Sequence, residues 1–120
     1  MAHIMAVDDS ISLRYLLVRT LLEGGHKVLE AKDGVEALGL AEREKVQLVI
    51  TDVNMPLMDG LTLVKRLRAL PSYRYVPILV LTTEMDPTKK KIAKDAGATG
   101  WIVKPFEPEA LLATIRKVLD

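Results

Sequence analysis

Hydrophobic and polar positions follow two alternating patterns along the chain. Short apolar runs, typical of strands, are each followed by a stretch in which apolar residues recur every three or four positions, as in a helix. This alternation favours a largely parallel sheet with helices on its faces. The pattern predicts five strands, at residues 3–7, 27–31, 47–51, 76–81 and 100–103.

The predicted strands differ in polarity, which indicates their places in the sheet. The run 76–81 is apolar throughout, and the run 47–51 is mostly apolar and β-branched, as in central strands buried on both faces. The run 27–31 mixes polar and apolar residues, as in an edge strand.

Capping and turn residues predict five helices. Ser10 or Ser12 opens the first helix and Gly24-Gly25 closes it. The second opens at Asp33-Gly34, the third opens at Asp59-Gly60 and ends at Pro71, the fourth spans 88–96 after Pro87, and the fifth opens at Glu107-Pro108. Gly39, inside the second helix, should weaken that helix by about 1 kcal/mol relative to alanine. The predicted inward-facing residues, helix by helix, are Leu13, Leu16, Leu17 and Leu21; Val35, Leu38 and Ala41; Leu61, Val64 and Leu67; Ile92, Ala93 and Ala96; and Leu111, Leu112, Ile115, Val118 and Leu119.

Composition narrows the class of protein. A chain of 120 residues is expected to form one domain, spanning residues 1–120, with its own hydrophobic core. The net charge of +1 argues against a general nucleic-acid binder, and no apolar run is long enough to span a membrane. No secretory signal precedes the first apolar run, and the absence of cysteine excludes disulfides and thiol chemistry. A cytoplasmic protein is therefore expected.

Polar side chains follow four of the predicted strands. Asp8 and Asp9 follow the first strand, Asp52 follows the third, Thr82 the fourth and Lys104 the fifth. Right-handed crossovers bring these strand ends to one edge of a parallel sheet, where ligands bind in such folds. Three carboxylates brought together repel one another and require protonation or a cation. Mg²⁺, a hard ion that prefers oxygen ligands, is the expected cofactor.

The same residues could form a site for phosphoryl transfer. A lysine and a threonine can share phosphoryl oxygens with a metal ion, and the carboxylate of Asp52 can act as the nucleophile that forms an acyl phosphate. Taken singly, each residue also fits a structural role, as a helix N-terminal acid, a turn hydroxyl or a solvated charge. Their predicted convergence favours the functional interpretation.

Several motifs occur in one order and cover essentially the whole chain. They are Val7-Asp8-Asp9-Ser10, Asp52-Val53-Asn54-Met55-Pro56, Met58-Asp59-Gly60, Leu81-Thr82-Thr83, Ala96-Gly97-Ala98, Gly100-Trp101 and Val103-Lys104-Pro105-Phe106. On these motifs the sequence resembles bacterial two-component response-regulator receiver domains, and most closely the stand-alone, CheY-like chemotaxis regulators. The resemblance implies an α/β, flavodoxin-like, doubly wound five-stranded parallel sheet in strand order 2-1-3-4-5, with five helices.

The resemblance also implies a function and a set of site residues. Asp52 would accept a phosphoryl group from a histidine kinase (CheA-like), with Mg²⁺ bound by Asp9, Asp52 and the backbone carbonyl of Asn54 and, through water, by Asp8. Lys104 and Thr82 would contact the phosphoryl oxygens. The peptide bond between Lys104 and Pro105 is expected to be cis.

The resemblance further implies a switch. Thr82 would move toward the phosphoryl group and Trp101 would rotate inward, while Asn54 and Glu84 would tune the attack of water on the acyl phosphate. The last strand and its flanking helices would then bind an output protein such as the flagellar motor switch, and a phosphatase is a further candidate partner. A monomeric signalling protein is expected, with no turnover of an external substrate and no nucleic-acid or membrane partner.

Three alternatives stay open at the level of sequence. The first is a single-domain receiver in a non-chemotactic phosphorelay. The second is a Mg²⁺-dependent phosphohydrolase of the haloacid-dehalogenase kind, although such enzymes normally carry an aspartate where Asn54 stands, and an asparagine cannot shuttle the proton. The third is a flavin or nucleotide binder, although no glycine-rich phosphate loop follows the first strand.

Overall fold

The computed structural model describes residues 2–83 and 86–120. Strands and helices alternate through these two ranges, as the hydrophobic pattern predicts. The strands are β1 (His3–Val7), β2 (Lys27–Ala31), β3 (Leu48–Asp52), β4 (Ile78–Thr82) and β5 (Gly100–Val103). The helices are α1 (Ile11–Glu23), α2 (Gly34–Arg43), α3 (Gly60–Arg68), α4 (Pro87–Ala96) and α5 (Pro108–Leu119), and a short 3₁₀ helix spans Pro71–Tyr73.

The strands form one parallel sheet in the order β2-β1-β3-β4-β5. This order confirms the doubly wound fold that the resemblance implies, with β2 and β5 as the two edge strands. The register places Asp52 opposite Leu81 and Thr82 opposite Val103. The carboxyl ends of the strands therefore meet at one edge of the sheet.

Alternating strand residues face two separate hydrophobic cores. On one face, Ile4, Ile50 and Leu81 are buried in a core with residues of α1 and α5. On the other face, Met5, Val49 and Val80 are buried in a core with residues of α2, α3 and α4. Burial of apolar surface on both faces holds the central strands and fixes the ends that carry the polar residues.

The central strands differ slightly from the predicted bounds. β3 ends at Asp52 and β4 ends at Thr82, so each is the last residue of its strand. β4 starts after Pro77, which has no backbone N–H to donate to the ladder. Both functional candidates are thus held by strand backbone and are less free to move than loop residues.

The buried face of α1 differs from the prediction. Leu17 and Leu21 are buried as expected, but Leu13 and Leu16 are exposed, and Thr20 is buried in their place. The hydroxyl of Thr20 donates to the carbonyl oxygen of Leu16 at 2.9 Å, which satisfies this buried polar group. Leucines occupy several faces of α1, so apolar spacing could not select the one that meets the sheet.

The buried face of α2 also differs, because small residues form it. Val35 is exposed and Leu38 partly buried, whereas Gly34, Ala37 and Ala41 are buried. A Cβ atom at Gly34 would lie 2.9 Å from the Cβ atom of Met58. The close approach of the chain around residue 58 therefore requires a face without large side chains.

The remaining helices follow the predictions more closely. In α3, Val64 and Leu67 are buried, Leu63 joins them and Leu61 is partly buried, and the helix ends at Arg68, before Pro71. In α4, Ala93 and Ala96 are buried, but the prediction of a buried Ile92 is wrong. In α5, Leu111 and Ile115 are buried, and the other three predicted residues are partly buried. Within the described ranges, no helix has the length and apolarity needed to cross a membrane.

Arg68 joins three segments at the amino ends of β4 and β5. Its Nη1 donates to the carbonyl oxygens of Tyr73 at 2.8 Å and Val76 at 2.6 Å, and its Nε donates to that of Gly97 at 3.0 Å. Gly97 caps α4 with a positive φ of 111°. The guanidinium group of Arg68 therefore stabilises the end of the sheet that lies opposite to the acidic residues.

Arg68→Met is expected to lower the free energy of unfolding by about 2–3 kcal/mol, because several carbonyl groups lose a charged donor. Urea unfolding followed by circular dichroism measures this change. The control is Arg66→Met, which removes the same charge from an exposed position of the same helix and should stay within about 0.5 kcal/mol of wild type. Equal effects of the two substitutions would contradict the role of Arg68.

Candidate functional site

Three carboxylates converge at the carboxyl edge of the sheet. Asp8 and Asp9 follow β1, and the backbone N–H of Asp8 donates to the carbonyl oxygen of Ala31 on β2 at 3.2 Å. Asp52 ends the neighbouring central strand. One carboxylate oxygen from each of the three aspartates lies within 4.8 Å of the others. The structure thus brings together the acidic residues that the sequence placed at separate strand ends.

Lys104 completes the cluster from the other side. Its backbone N–H donates to the carbonyl oxygen of Thr82 at 2.8 Å, which fixes the chain just beyond β5. Its Nζ lies 2.9 Å from Oδ1 of Asp52 and 3.5 Å from Oδ2 of Asp8. The peptide bond between Lys104 and Pro105 is cis, as the resemblance implies. An ammonium group therefore offsets part of the repulsion between the carboxylates.

Asp8 is the most buried member of the cluster. Its side chain is 1% exposed, and its Oδ1 accepts a hydrogen bond from the backbone N–H of Ser10 at 2.9 Å. Its Oδ2 is buried without a hydrogen-bond donor among the described residues. Burial, and then the negative charge of Asp52 and Asp9, raises the pKa of Asp8, while the Ser10 N–H and Lys104 oppose this change.

The donor set fits a divalent cation that prefers oxygen. Asp9 is exposed to solvent, and one carboxylate oxygen from each of Asp8 and Asp52 lies within 4.8 Å of one of its oxygens. Oδ2 of Asp8 accepts no hydrogen bond from the residues that the structure describes, and its nearest cation is Nζ of Lys104 at 3.5 Å. A hard ion such as Mg²⁺ takes one or two carboxylates and keeps several waters, which this half-open cluster allows. Its binding would neutralise charge that Lys104 alone leaves uncompensated.

Arg14 holds the turn that carries Asp8 and Asp9, and no pattern in the sequence predicts this role. Its Nη1 donates to the backbone carbonyl oxygen of Asp8 at 2.6 Å, and its Nε pairs with Oε1 of Glu30 at 3.2 Å. Asp8 contributes this carbonyl to the peptide bond with Asp9, so the contact orients the peptide that joins the two acids.

Gly60 supports the backbone of Asp52. Its N–H donates to the carbonyl oxygen of Val53 at 2.8 Å. A Cβ atom at this position would overlap the carbonyl oxygen of Asp52 and lie 2.9 Å from the Cα atom of Val53. The sequence predicted Gly60 as the start of a helix, but only the packed structure reveals this close approach.

The other predicted site residues lie outside the group of three carboxylates. Thr82 is buried at the end of β4 and, with Asn54, lines a cavity of about 270 Å³ between α3 and α4. Trp101 lies on β5 opposite Val80, is 37% exposed and does not join the acidic cluster. Glu84 lies outside the described residues. The roles assigned to these residues stay predictions.

Comparison with known proteins points to one family. The family model described as the response regulator receiver domain matches residues 4–116 of this chain. The chemotaxis protein CheY homolog of Campylobacter jejuni (strain 81-176) is 44% identical over 118 residues, which cover 97% of this chain and 91% of that protein. The structure of chemotaxis protein CheY4 of Vibrio cholerae, crystallised at low pH, has a TM-score of 0.95 and 50% identity, with 98% of each chain covered. The receiver domain of the sensor histidine kinase PA1611 of Pseudomonas aeruginosa, solved with a magnesium ion coordinated in its active site cleft, has a TM-score of 0.92 and 25% identity, with 98% of this chain and 97% of that chain covered.

Gly60→Ala is expected to lower the free energy of unfolding by about 1–3 kcal/mol, because the new methyl group meets the rigid backbone of Asp52. The matched control is Gly39→Ala in α2, where the nearest atom to an ideal Cβ is Nη1 of Arg43 at 3.8 Å. This control should gain about 0.5–1 kcal/mol from helix propensity. Urea unfolding measures both, and two changes of the same sign would contradict the close approach at Gly60.

Asp8→Asn is expected to raise the free energy of unfolding in the presence of a chelator at neutral pH, on the order of 1 kcal/mol. The pKa of Asp8 is raised in the folded state, so stability that is present below the unfolded-state pKa is lost as the pH rises through the folded-state pKa. Asparagine keeps the acceptor for the Ser10 N–H without the charge.

Urea unfolding in chelator at several pH values tests this expectation. The difference between Asp8→Asn and wild type should shrink as the pH falls through the titration of Asp8. Added Mg²⁺ should stabilise wild type more than the variant, because an ion held by the folded cluster would favour the folded state. A variant less stable than wild type in chelator at neutral pH would show that the charge of Asp8 does not oppose folding.

Proposed function

We propose a function from one premise: the chain belongs to the response regulator receiver domain family. It is a CheY-like receiver of a two-component system, and its phosphoryl acceptor is Asp52. The observation that carries this assignment is the contact of 2.9 Å between Lys104 Nζ and Asp52 Oδ1, inside a cluster of three carboxylates at the end of the central strand. Membership of the receiver family supports a histidine kinase (CheA-like) as the phosphodonor.

The phosphoryl group would move in one displacement. A carboxylate oxygen of Asp52 attacks the phosphorus of a phosphohistidine, the new O–P bond forms as the P–N bond breaks, and the leaving imidazole takes a proton from solvent. Because Lys104 contacts Oδ1 of Asp52, it orients the carboxylate and presents Oδ2 as the nucleophile. Thr82, at the end of the adjacent strand, offers a hydroxyl group to the phosphoryl oxygens.

Mg²⁺ fits this site, and Asp8, Asp9 and Asp52, with the carbonyl of Asn54, would hold it. When bound, the ion supplies a positive charge that offsets the charge on the carboxylates and on the phosphoryl oxygens. Burial of Asp8 makes its charge costly in the ion-free protein, so the protein itself favours binding of a cation.

Phosphorylation of Asp52 would change the conformation at the edge of the sheet formed by β5. β4 ends in Thr82 and pairs with β5, which carries Trp101 and leads into Lys104. We propose that Thr82 moves toward the phosphoryl group, that Trp101 rotates inward, and that the surface of α4, β5 and α5 then binds an output protein such as the flagellar motor switch. The similarity to proteins named for chemotaxis supports this partner class.

The chain would return to its resting state by hydrolysis of the acyl phosphate, tuned by Asn54 and Glu84. Asn54 lines the same cavity as Thr82, where it can influence access of water. No turnover of an external substrate is expected. Membership of the receiver family leaves the phosphohydrolase and nucleotide-binding alternatives without support.

Asp52→Asn is expected to abolish phosphoryl uptake from acetyl phosphate, because an amide cannot act as the nucleophile. Intact-protein mass spectrometry in the presence of Mg²⁺ should show one added phosphoryl group on wild type and none on the variant. A chelator should suppress uptake by wild type.

The control is Asp59→Asn. Asp59 lies in the loop after β3, and asparagine retains its hydrogen bond to the N–H of Thr62, so uptake should equal that of wild type. Equal phosphorylation of Asp52→Asn and wild type would overturn the assignment of the acceptor.

A further inference from the structure

Lys90 differs from the other lysines of α4. Lys89, Lys91 and Lys94 are exposed, whereas Lys90 is partly buried and its Nζ lies 5.1 Å from the centroid of the Trp101 ring. This distance is within the range of a cation–π interaction. Lys91, the next residue, points its charge elsewhere and pairs with Asp95 at 3.3 Å.

The Lys90–Trp101 contact links an element of the surface to the strand that reaches the acidic cluster. Trp101 lies on β5, two residues before Val103, which is opposite Thr82. Lys104 follows directly and contacts Asp52. A change in the position of Trp101 can therefore be coupled to the acceptor through one short strand.

α4 has few other large contacts with the rest of the protein. Of its side chains, Ala93 and Ala96 are buried, and both are small. The helix is fixed at its start by the N-cap of Asp86, which accepts the N–H of Lys89 at 2.8 Å, and at its end by Gly97. On this lightly packed helix, a single cation–π contact is a substantial fraction of the interaction with β5.

We propose that Lys90 is a positioning residue for Trp101: its ammonium group holds the indole on the outer side of β5 and so stabilises the resting state. This proposal rests on the proposed function, in which activation rotates Trp101 inward. Inward rotation would move the ring away from the ammonium group of Lys90, so the contact of the resting state would be lost. Lys90 thereby influences how much of the free energy of phosphorylation is needed to shift Trp101 from the outward to the inward state.

The expected size of the effect follows from the strength of such contacts at partly exposed sites. Loss of the contact should shift the equilibrium between outward and inward Trp101 by roughly two- to five-fold toward the inward state. A ligand that favours the inward state should then bind with an apparent affinity higher by the same factor.

Three variants separate the effect of the cation over the ring from the effects of side-chain size and of the total charge of the helix. Lys90→Met keeps a long apolar side chain and good helix propensity but removes the cation. Lys90→Arg keeps a cation that can stack on the indole. Lys91→Met is the matched control, because it removes the same charge from the same helix at an exposed position without a contact to Trp101.

The probe is beryllofluoride, an analogue of the phosphoryl group, added at constant excess Mg²⁺. The emission of Trp101, the single tryptophan of the chain, reports its environment. The half-saturating concentration should fall about two- to five-fold in Lys90→Met. It should stay near the wild-type value in Lys90→Arg and in Lys91→Met.

Replacement of Trp101 by fluorotryptophan provides a further variant, which leaves the shape of the side chain almost unchanged. Fluorination withdraws electron density from the ring face and weakens a cation–π contact. It should lower the half-saturating concentration when Lys90 is present and have no further effect in Lys90→Met. This non-additivity measures the contact itself, apart from any effect of either change on folding.

An unchanged or increased half-saturating concentration in Lys90→Met would overturn the proposal, as would an equal shift in Lys91→Met. Phosphoryl uptake by Asp52 from acetyl phosphate is measured by mass and does not depend on Trp101. If uptake occurs but the emission of wild type does not respond to beryllofluoride, the role of Lys90 is refuted while the acceptor stands. If uptake is absent as well, the proposed function fails with it.

Discussion

Repulsion between three carboxylates is the constraint on which this structure depends. One carboxylate oxygen from each of Asp8, Asp9 and Asp52 lies within 4.8 Å of the others. Asp52 ends one strand and Asp8 directly follows another, so these two residues cannot separate without disturbing the hydrophobic cores. Lys104 offsets part of the repulsion through its contact with Asp52, while burial, and then the charges of Asp52 and Asp9, raise the pKa of Asp8. A site in this condition favours any ligand that brings positive charge, and a phosphoryl group that arrives with a cation changes the balance around Lys104.

The support around the site is rigid where the chemistry needs fixed positions. Gly60 places the start of α3 against the backbone of Asp52, and Arg14 orients the peptide between Asp8 and Asp9, which follow β1. At the other end of the sheet, Arg68 joins the entries to β4 and β5. By contrast, α4 is held mainly by small residues, so displacement of this helix costs less than displacement of any neighbouring strand.

Most of the fold could be predicted from the sequence, because the short apolar runs of strands, the three- to four-residue spacing of helices and the capping residues are local signals. The sequence also predicted which residues meet at the acidic edge, since parallel strands bring their carboxyl ends together. The predicted buried faces of α1 and α2 were partly wrong. Leucines occupy several faces of α1, and the approach of Met58 to Gly34 requires small residues on α2. The contacts of Arg14, Arg68 and Lys90 depend on distances between elements, which spacing along the chain does not encode.

The small buried surface of α4 has a consequence for how stability is distributed. A helix that begins at a proline, ends at a left-handed glycine and buries two alanines can open while exposing only the part of one core that it covers. Its amide hydrogens should therefore exchange with solvent through local opening, whereas those of β1, β3 and β4 exchange only when the whole domain unfolds. Under the proposed function, activation then draws on a free-energy difference much smaller than the global stability, and substitutions in α4 need not threaten the fold.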